Sequence, residues 1–472
     1  MGAEDAGGRG GNLAFLALGQ AFRMGSGVAI NVLLMRMLGV EGFGVYGYVM
    51  TLVGLAAFGA GLGMERLLIR ELARVPEQRG KLVTTGLFTT AVLSVGTACA
   101  VLGWVAVTDG RKEVVLAAGF AAAALGLQSL ATVLQAAFHA ARDMGPSSRG
   151  QMAGRMALVV GTLVGLAAGL GLLAVFVAQV LDALVTLVWI GWAYRTRLDA
   201  APHRVRFADI TALSRRSLPF GLNMLFGSIY LSADVLLLEH MRGDEDVGLY
   251  RGAVMLIALF PVIANTITTG FFPRLARRLG DPKGAGAELS FISRVLLAIS
   301  VPAAVGGMLT AEPLMVLLGG EAFARSALPF LIMAPLLPLR FLNNGFATTL
   351  STLNRQQDRT RGVMLAAGLN LGLNLLVIPQ WGAAGAAATT LVTEVALGIW
   401  MRWRVSPLLE GFSLGPTLLR VCVPAGVMAL ALLGMGELHV VLQIGLGGAV
   451  YAGVGLATGA WRPADLRRLR RV

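Results

Sequence analysis

Residues 173–194 read LAVFVAQVLDALVTLVWIGWAY, twenty-two positions with Asp182 as the sole formal charge. About 20 helical residues cross the roughly 30 Å of bilayer hydrocarbon. This run is therefore long enough to span a membrane and too apolar to meet water all round. Similar runs precede it near 13–38, 46–64, 82–107, 114–138 and 152–170. Others follow near 218–238, 252–272, 291–310, 327–353, 363–378, 383–401, 418–435 and 440–460, giving about fourteen spans. The stretches 152–194 and 363–401 are continuous, and we divide them at Gly169–Gly171 and at Pro379. The first run is too long for a signal-peptide core and is read as an uncleaved span. Composition agrees with this reading. Of 472 residues, 56% are hydrophobic and 14% charged, against about 25% charged in a soluble domain. A mean hydropathy of +0.73 points the same way. Soluble enzymes and single-anchor proteins are excluded.

The net charge of +13 would suggest nucleic acid in a soluble chain. In a polytopic one it marks cytoplasmic loops, and no nucleic-acid partner is expected. With the N-terminus inside, the inward segments hold 28 Lys and Arg. The outward ones hold five: Arg111, Lys112, Arg242, Arg251 and Arg325. Both termini are thus expected in the cytoplasm. No outward loop exceeds the length of 310–326, and the basic tail after Trp461 suits contact with membrane lipids. Cys99 and Cys422 lie far apart inside apolar runs and form neither a disulfide framework nor a metal motif. No nucleotide-binding P-loop or metal spacing is present, so no cofactor and no enzymatic activity are expected.

An internal repeat runs through the chain. Met37, Gly39, Glu41, Gly44 and Tyr46 recur at an offset of 204 as Met241, Gly243, Glu245, Gly248 and Tyr250. Leu72-Ala73-Arg74 recurs as Leu275-Ala276-Arg277, and Asp182 and Trp189 are echoed by Glu394 and Trp400. Copies six spans apart enter the membrane with one orientation, a parallel repeat. The expected organisation is an N-lobe of helices 1–6 (1–200), a C-lobe of helices 7–12 (201–410), and helices 13–14 with the tail (411–472). The repeated glycines suit a turn between the first two helices of each lobe, and the tyrosines suit interfacial anchors.

The segment Arg36-Met37-Leu38-Gly39-Val40-Glu41-Gly42-Phe43-Gly44-Val45-Tyr46 resembles the opening signature of the polysaccharide-export flippases. These include the O-antigen flippases of the multidrug/oligosaccharidyl-lipid/polysaccharide superfamily. Residues 370–386, NLGLNLLVIPQWGAAGA, resemble that family's eleventh-to-twelfth helix segment, and 317–323, LLGGEAF, its outward loop before helix ten. The resemblance implies two lobes around a central cavity and alternating access for a polyprenyl diphosphate-linked oligosaccharide. It also implies a bacterial inner-membrane location, a monomer, and the glycan polymerisation and export machinery as a partner. Lipid II flippases carry an Asp-Ala-Phe run and a Pro-Asn-x-x-Arg segment near helix two. Here that region reads Gly42-Phe43-Gly44-Val45-Tyr46, which counts against peptidoglycan precursor as the substrate.

Charges at membrane depth are costly and mark pathways or cavities. Gln20, Arg23, Gly27 and Asn31 share one helix face, as do Asn223, Gly227, Tyr230 and Asp234 on the repeat-related helix. Arg340 lies deep in span ten beside Asn343 and Asn344. We assign Arg23, Arg340, Gln20, Asn31, Asn223 and Asp234 as candidate substrate contacts, with Asp234 a partner for one arginine. The competing reading is hydrogen bonding between helices. Asp182 and Glu394 read as packing groups, with proton or cation coupling as the alternative, and Asn370 and Asn374 as helix–helix glue. A drug/cation antiporter working through Asp182, Asp234 and Glu394 is the second functional reading. An integral-membrane polymerase would be expected to present a large outward loop, and none is present.

Overall fold

The computed structural model describes residues 4–198, 203–436 and 438–460, with side chains from Met24 onward except at positions 223, 226, 230 and 231. Its long elements are all helices, and they group into two compact units, Met1–Leu236 and Leu237–Val472. The first unit contains α1 (Glu4–Gly61), α2 (Met64–Arg74), α3 (Arg79–Thr108), α4 (Lys112–Ala140), α5 (Gly145–Ala167) and α6 (Leu173–Arg197). Helix α7 (Phe207–Arg242) runs across the boundary. The second contains α8 (Asp244–Ile257), α9 (Pro261–Ala276), α10 (Pro282–Leu309), α11 (Ala311–Gly319), α12 (Ala327–Met333) and α13 (Leu336–Thr352). Helices α14 (Gln356–Val405), α15 (Gly415–Gly434) and α16 (Val440–Thr458) complete it.

Ten segments among the described residues are long and apolar enough to cross a membrane, or twelve when two bent helix pairs are each taken as one span. Helices α1 and α14 have 58 and 50 residues. At about 1.5 Å per residue each is more than twice the bilayer hydrocarbon. Each is broken once, at Gly39 (φ 67°, ψ −170°) and at Gly382 (φ 52°, ψ −132°). Dividing the two there adds two spans to twelve and returns fourteen.

The break in α14 falls at Gly382, three residues beyond the expected Pro379. A proline fits helical φ, and its lost hydrogen bond and ring clash bend a helix that can still continue, as at Pro302 and Pro424, whereas the conformation at Gly382 is open to glycine alone. The next amide, Ala383 N–H, donates to Asp246 Oδ1 at 2.9 Å and so regains a partner. The division at Gly169–Gly171 falls where expected, with φ of 79° and 52°.

The repeat is visible in the backbone. Gly39 and Gly243 adopt nearly one conformation, (67°, −170°) and (82°, −174°), at equivalent helix junctions. Gly44 and Gly248 are helical, so the first glycine of each motif makes the turn. The tyrosines are not interfacial anchors. Tyr46 is buried against Phe43 and Phe176, with ring centroids 5.9 and 5.8 Å apart, and Tyr250 is buried with its hydroxyl 3.4 Å from Thr390 Oγ1. Trp189 packs on Gly150 in the first unit as Trp400 packs on Gly362 in the second.

The contact boundary at Leu236 lies beyond the expected lobe boundary at 200. The start of α7 is held to the first unit by backbone contact of Gly221 with Leu62 and by a cation–π contact of Arg70 over Phe220. Ion pairs Arg216–Glu71 (2.8 Å) and Lys81–Asp209 (3.1 Å) add to it.

Candidate functional site

The hairpin of α5 and α6 sets one wall of the site. Gly150, Gly154, Gly161 and Gly165 fall on one face of α5, and a Cβ at Gly161 or Gly165 would meet Ala178 at 3.1 Å or Ala174 at 2.8 Å. Small residues let membrane helices approach backbone to backbone. At Gly154 the space is filled by the Asp182 carboxylate and the Thr186 hydroxyl. Thr186 Oγ1 donates to Gly150 O at 3.3 Å and lies 3.4 Å from Asp182 Oδ1. The close approach thus fixes the Asp182 side chain at membrane depth.

Beside it opens a cavity of about 550 Å3 within the first unit. Helix α1 contributes Gly27, Asn31, Tyr46 and Met50; α4 contributes Gln128; α5 and α6 contribute Gln151, Arg155, Gln179, Asp182 and Thr186. Arg155 Nη1 stands 3.9 Å from Asp182 Oδ2, both partly exposed. That distance is an ion pair without a hydrogen bond, which needs about 3.5 Å or less. Asn31 donates to Gly27 O at 2.8 Å, Gln151 to Gln135 Oε1 at 3.0 Å, and Gln179 Nε2 rests 3.2 Å from Met50 Sδ. A loose ion pair ringed by amides can accept a polar ligand without stranding either charge.

The second unit holds a counterpart around Glu394. Asn343 Nδ2 donates to Glu394 Oε1 at 2.9 Å and to its backbone carbonyl at 3.1 Å. Arg340 Nε lies 3.4 Å from Glu394 Oε2. Asn344 continues this belt from α13 toward α9, accepting from Thr268 Oγ1 at 3.0 Å and donating to Asn265 Oδ1. Each repeat-related carboxylate therefore faces an arginine of its own unit. Below Glu394 the hairpin of α14 carries a buried ladder in which Asn374 donates to Asn370 Oδ1 at 2.9 Å and accepts from Thr389. That ladder is the expected helix–helix glue.

The expected contacts distribute as follows. Asn31 lines the first cavity, together with Asp182. Asp234 is buried in α7, its Oδ1 accepting Val235 N–H at 2.9 Å. Arg340 has Glu394 as its carboxylate partner, where Asp234 was expected to hold an arginine. Gln20, Arg23 and Asn223 lie outside the described side chains. Sequence reading passed over Arg155, Gln128, Gln151 and Gln179. The available signal was spacing: Gln151 and Arg155 are one turn apart on α5, as are Gln179, Asp182 and Thr186 along α6.

An all-helical, multiply spanning chain with a polar cavity sunk among its spans is a polytopic membrane transporter. The polysaccharide biosynthesis protein family matches residues 10–278, more than half of the chain. The chain belongs to that family, within the multidrug/oligosaccharidyl-lipid/polysaccharide superfamily. The MatE family matches 219–379. The chain is 22% identical over 364 residues to the probable low-salt glycan biosynthesis flippase Agl15 of Haloferax volcanii, covering 76% of this chain and 75% of that one. It is 20% identical over 205 residues to the capsular polysaccharide biosynthesis protein CapF of Staphylococcus aureus, 43% and 50% of the two chains. Among solved structures, the lipid II flippase MurJ in its inward closed conformation matches with TM-score 0.76 at 12% identity, covering 94% and 98%. An inward-facing multidrug MATE transporter matches with TM-score 0.62 at 15% identity, covering 82% and 96%. At such identities the structures speak for the fold alone.

Proposed function

We propose that the chain flips a polyprenyl diphosphate-linked oligosaccharide from the cytoplasmic to the outward leaflet of a bacterial inner membrane by alternating access. The observation that carries this is the first-unit cavity, about 550 Å3 and bearing Arg155, Asp182 and three glutamines among mostly apolar spans. Ionisable groups at that depth commonly mark the path of a substrate or ion. The glycan flippase and capsular polysaccharide relatives support a glycan cargo. Arg23 and Arg340 are the proposed diphosphate contacts, because the guanidinium fork matches phosphate oxygens, and Gln20, Asn31, Asn223 and Asp234 are proposed as further substrate contacts. The lobes 1–200 and 201–410 and cytoplasmic termini belong to the same proposal. The substrate reaches the chain from cytoplasmic glycan assembly and leaves it for polymerisation or export.

The test is complementation of a strain that lacks its glycan flippase, with membrane abundance measured in parallel. Restored export by the wild-type chain, lost in Arg340→Ala at equal abundance, is expected. The MatE match over 219–379 favours a second reading, drug/cation antiport with Asp182 and Glu394 as coupling groups. Drug resistance conferred without any restored glycan export would select it.

A further inference from the structure

The first-unit cavity is electrically balanced. Among the described residues its lining holds one arginine and one aspartate, Arg155 and Asp182, 3.9 Å apart. A diphosphate placed there would face the Asp182 carboxylate, and a cation would face Arg155. Between these two groups neither charge type is favoured, which fits a neutral occupant.

The rest of the described polar lining is amide and hydroxyl: Asn31, Tyr46, Gln128, Gln151, Gln179 and Thr186. An amide offers a carbonyl acceptor and an NH2 with two donors. That is the complement of adjacent sugar hydroxyls, each of which gives and takes a hydrogen bond. Much of this capacity is unspent. The Gln128 amide forms no hydrogen bond among the described residues, and Asn31 uses only its NH2, toward Gly27 O. Gln179 Nε2 rests on the Met50 thioether, a weak acceptor that a hydroxyl would displace. The gap between Arg155 and Asp182 can admit a hydroxyl that accepts from one and donates to the other. Ile30, Val53, Leu158 and Val175 supply apolar wall for the C–H faces of a pyranose. The volume lies within the range of about 300–1,000 Å3 typical of small-molecule sites.

We infer that this cavity is a subsite for a neutral sugar of the lipid-linked glycan, separate from the groups that hold its diphosphate; the inference rests on the flippase reading. The test measures equilibrium binding of two probes to the purified full-length chain in lipid nanodiscs. One is polyprenyl diphosphate; the other is the same lipid carrying a neutral disaccharide. The wild type should bind the disaccharide lipid more tightly. Gln128→Leu, which keeps size and removes the amide, should weaken that binding about fivefold, the worth of about 1 kcal/mol for a neutral hydrogen bond. Binding of the bare diphosphate lipid should be unchanged. Gln179→Leu, on another helix, should act in the same direction if Gln128→Leu fails to fold. Equal weakening toward both lipids, no weakening in either variant, or a wild type that does not prefer the disaccharide lipid overturns the subsite and leaves the flippase reading standing. A wild type that binds neither lipid overturns the flippase reading and the subsite with it.

Discussion

Gly154 has no room for a methyl group, because the Asp182 carboxylate and Thr186 hydroxyl already occupy the place its Cβ would take. Gly96, on α3, has nothing within 4 Å of that place. Gly154→Ala should therefore lower stability by about 1–3 kcal/mol, the usual cost of overpacking. Gly96→Ala should be neutral or stabilising by up to about 1 kcal/mol. Thermal unfolding of the purified protein in detergent compares the two, and equal midpoints would refute the packing account. The Arg340–Glu394 pair separates structure from transport. Arg340→Ala leaves Glu394, 6% exposed, with Asn343 as its side-chain donor. Stranding one partner of a buried pair costs about 3–5 kcal/mol, whereas replacing both with apolar groups is often neutral. The Arg340→Met/Glu394→Met double variant should unfold at a higher temperature than Arg340→Ala yet export no glycan. If it exports normally, the pair serves packing alone. Asp182 and Glu394 stood out in the sequence because isolated carboxylates in apolar runs are rare. Their pairing with Arg155 and Arg340 did not, since pairing across helices depends on which faces meet, and one sequence does not state that.

At the scale of the element, the span pattern was legible because it rests on length and apolarity alone. The breaks were legible only where glycines cluster, as at Gly169–Gly171. In α14, Pro379 drew attention that belonged to Gly382, because a proline's missing donor is plain in sequence while a positive φ is not. The buried Tyr46 and Tyr250 were misplaced for a related reason. Their polar tips suit an interface, but their partners Phe176 and Thr390 come from distant helices. The α14 break also depends on α8. Asp246 accepts Ala383 N–H and is itself held by Arg242 at 3.1 Å. This resembles a helix cap supplied from another helix, worth about 0.5–2 kcal/mol. Asp246→Ala should cost about 1 kcal/mol, and Asp246→Asn less, because the amide oxygen still accepts. Gly382→Ala should cost more than either, since its Cβ meets the Asp246 carboxylate and its φ is positive. Unfolding midpoints should fall in the order Asp246→Asn, Asp246→Ala, Gly382→Ala.

For the whole molecule, the charge of the loops decides which way the chain faces. The 28 inward Lys and Arg against five outward ones form a bias that membrane insertion rarely overrides. The positions to probe are helix ends that reach solvent. Met144, Leu279 and Gln357 are exposed at ends assigned to the cytoplasm, and Thr108 and Glu321 at ends assigned to the outside. Cys99 and Cys422 are exposed as well, so single cysteines must be introduced after both are replaced by alanine. A membrane-impermeant maleimide added to intact cells should label Thr108→Cys and Glu321→Cys only. Met144→Cys, Leu279→Cys and Gln357→Cys should react only after the membrane is opened. The five positions lie at or beside ends of α3, α5, α9, α11 and α14, so each pair of neighbours tests the parity of the spans between them along with the orientation. If Gln357→Cys alone were labelled from outside, one span before α14 would have been miscounted. If all five reversed, the positive-inside assignment would be wrong.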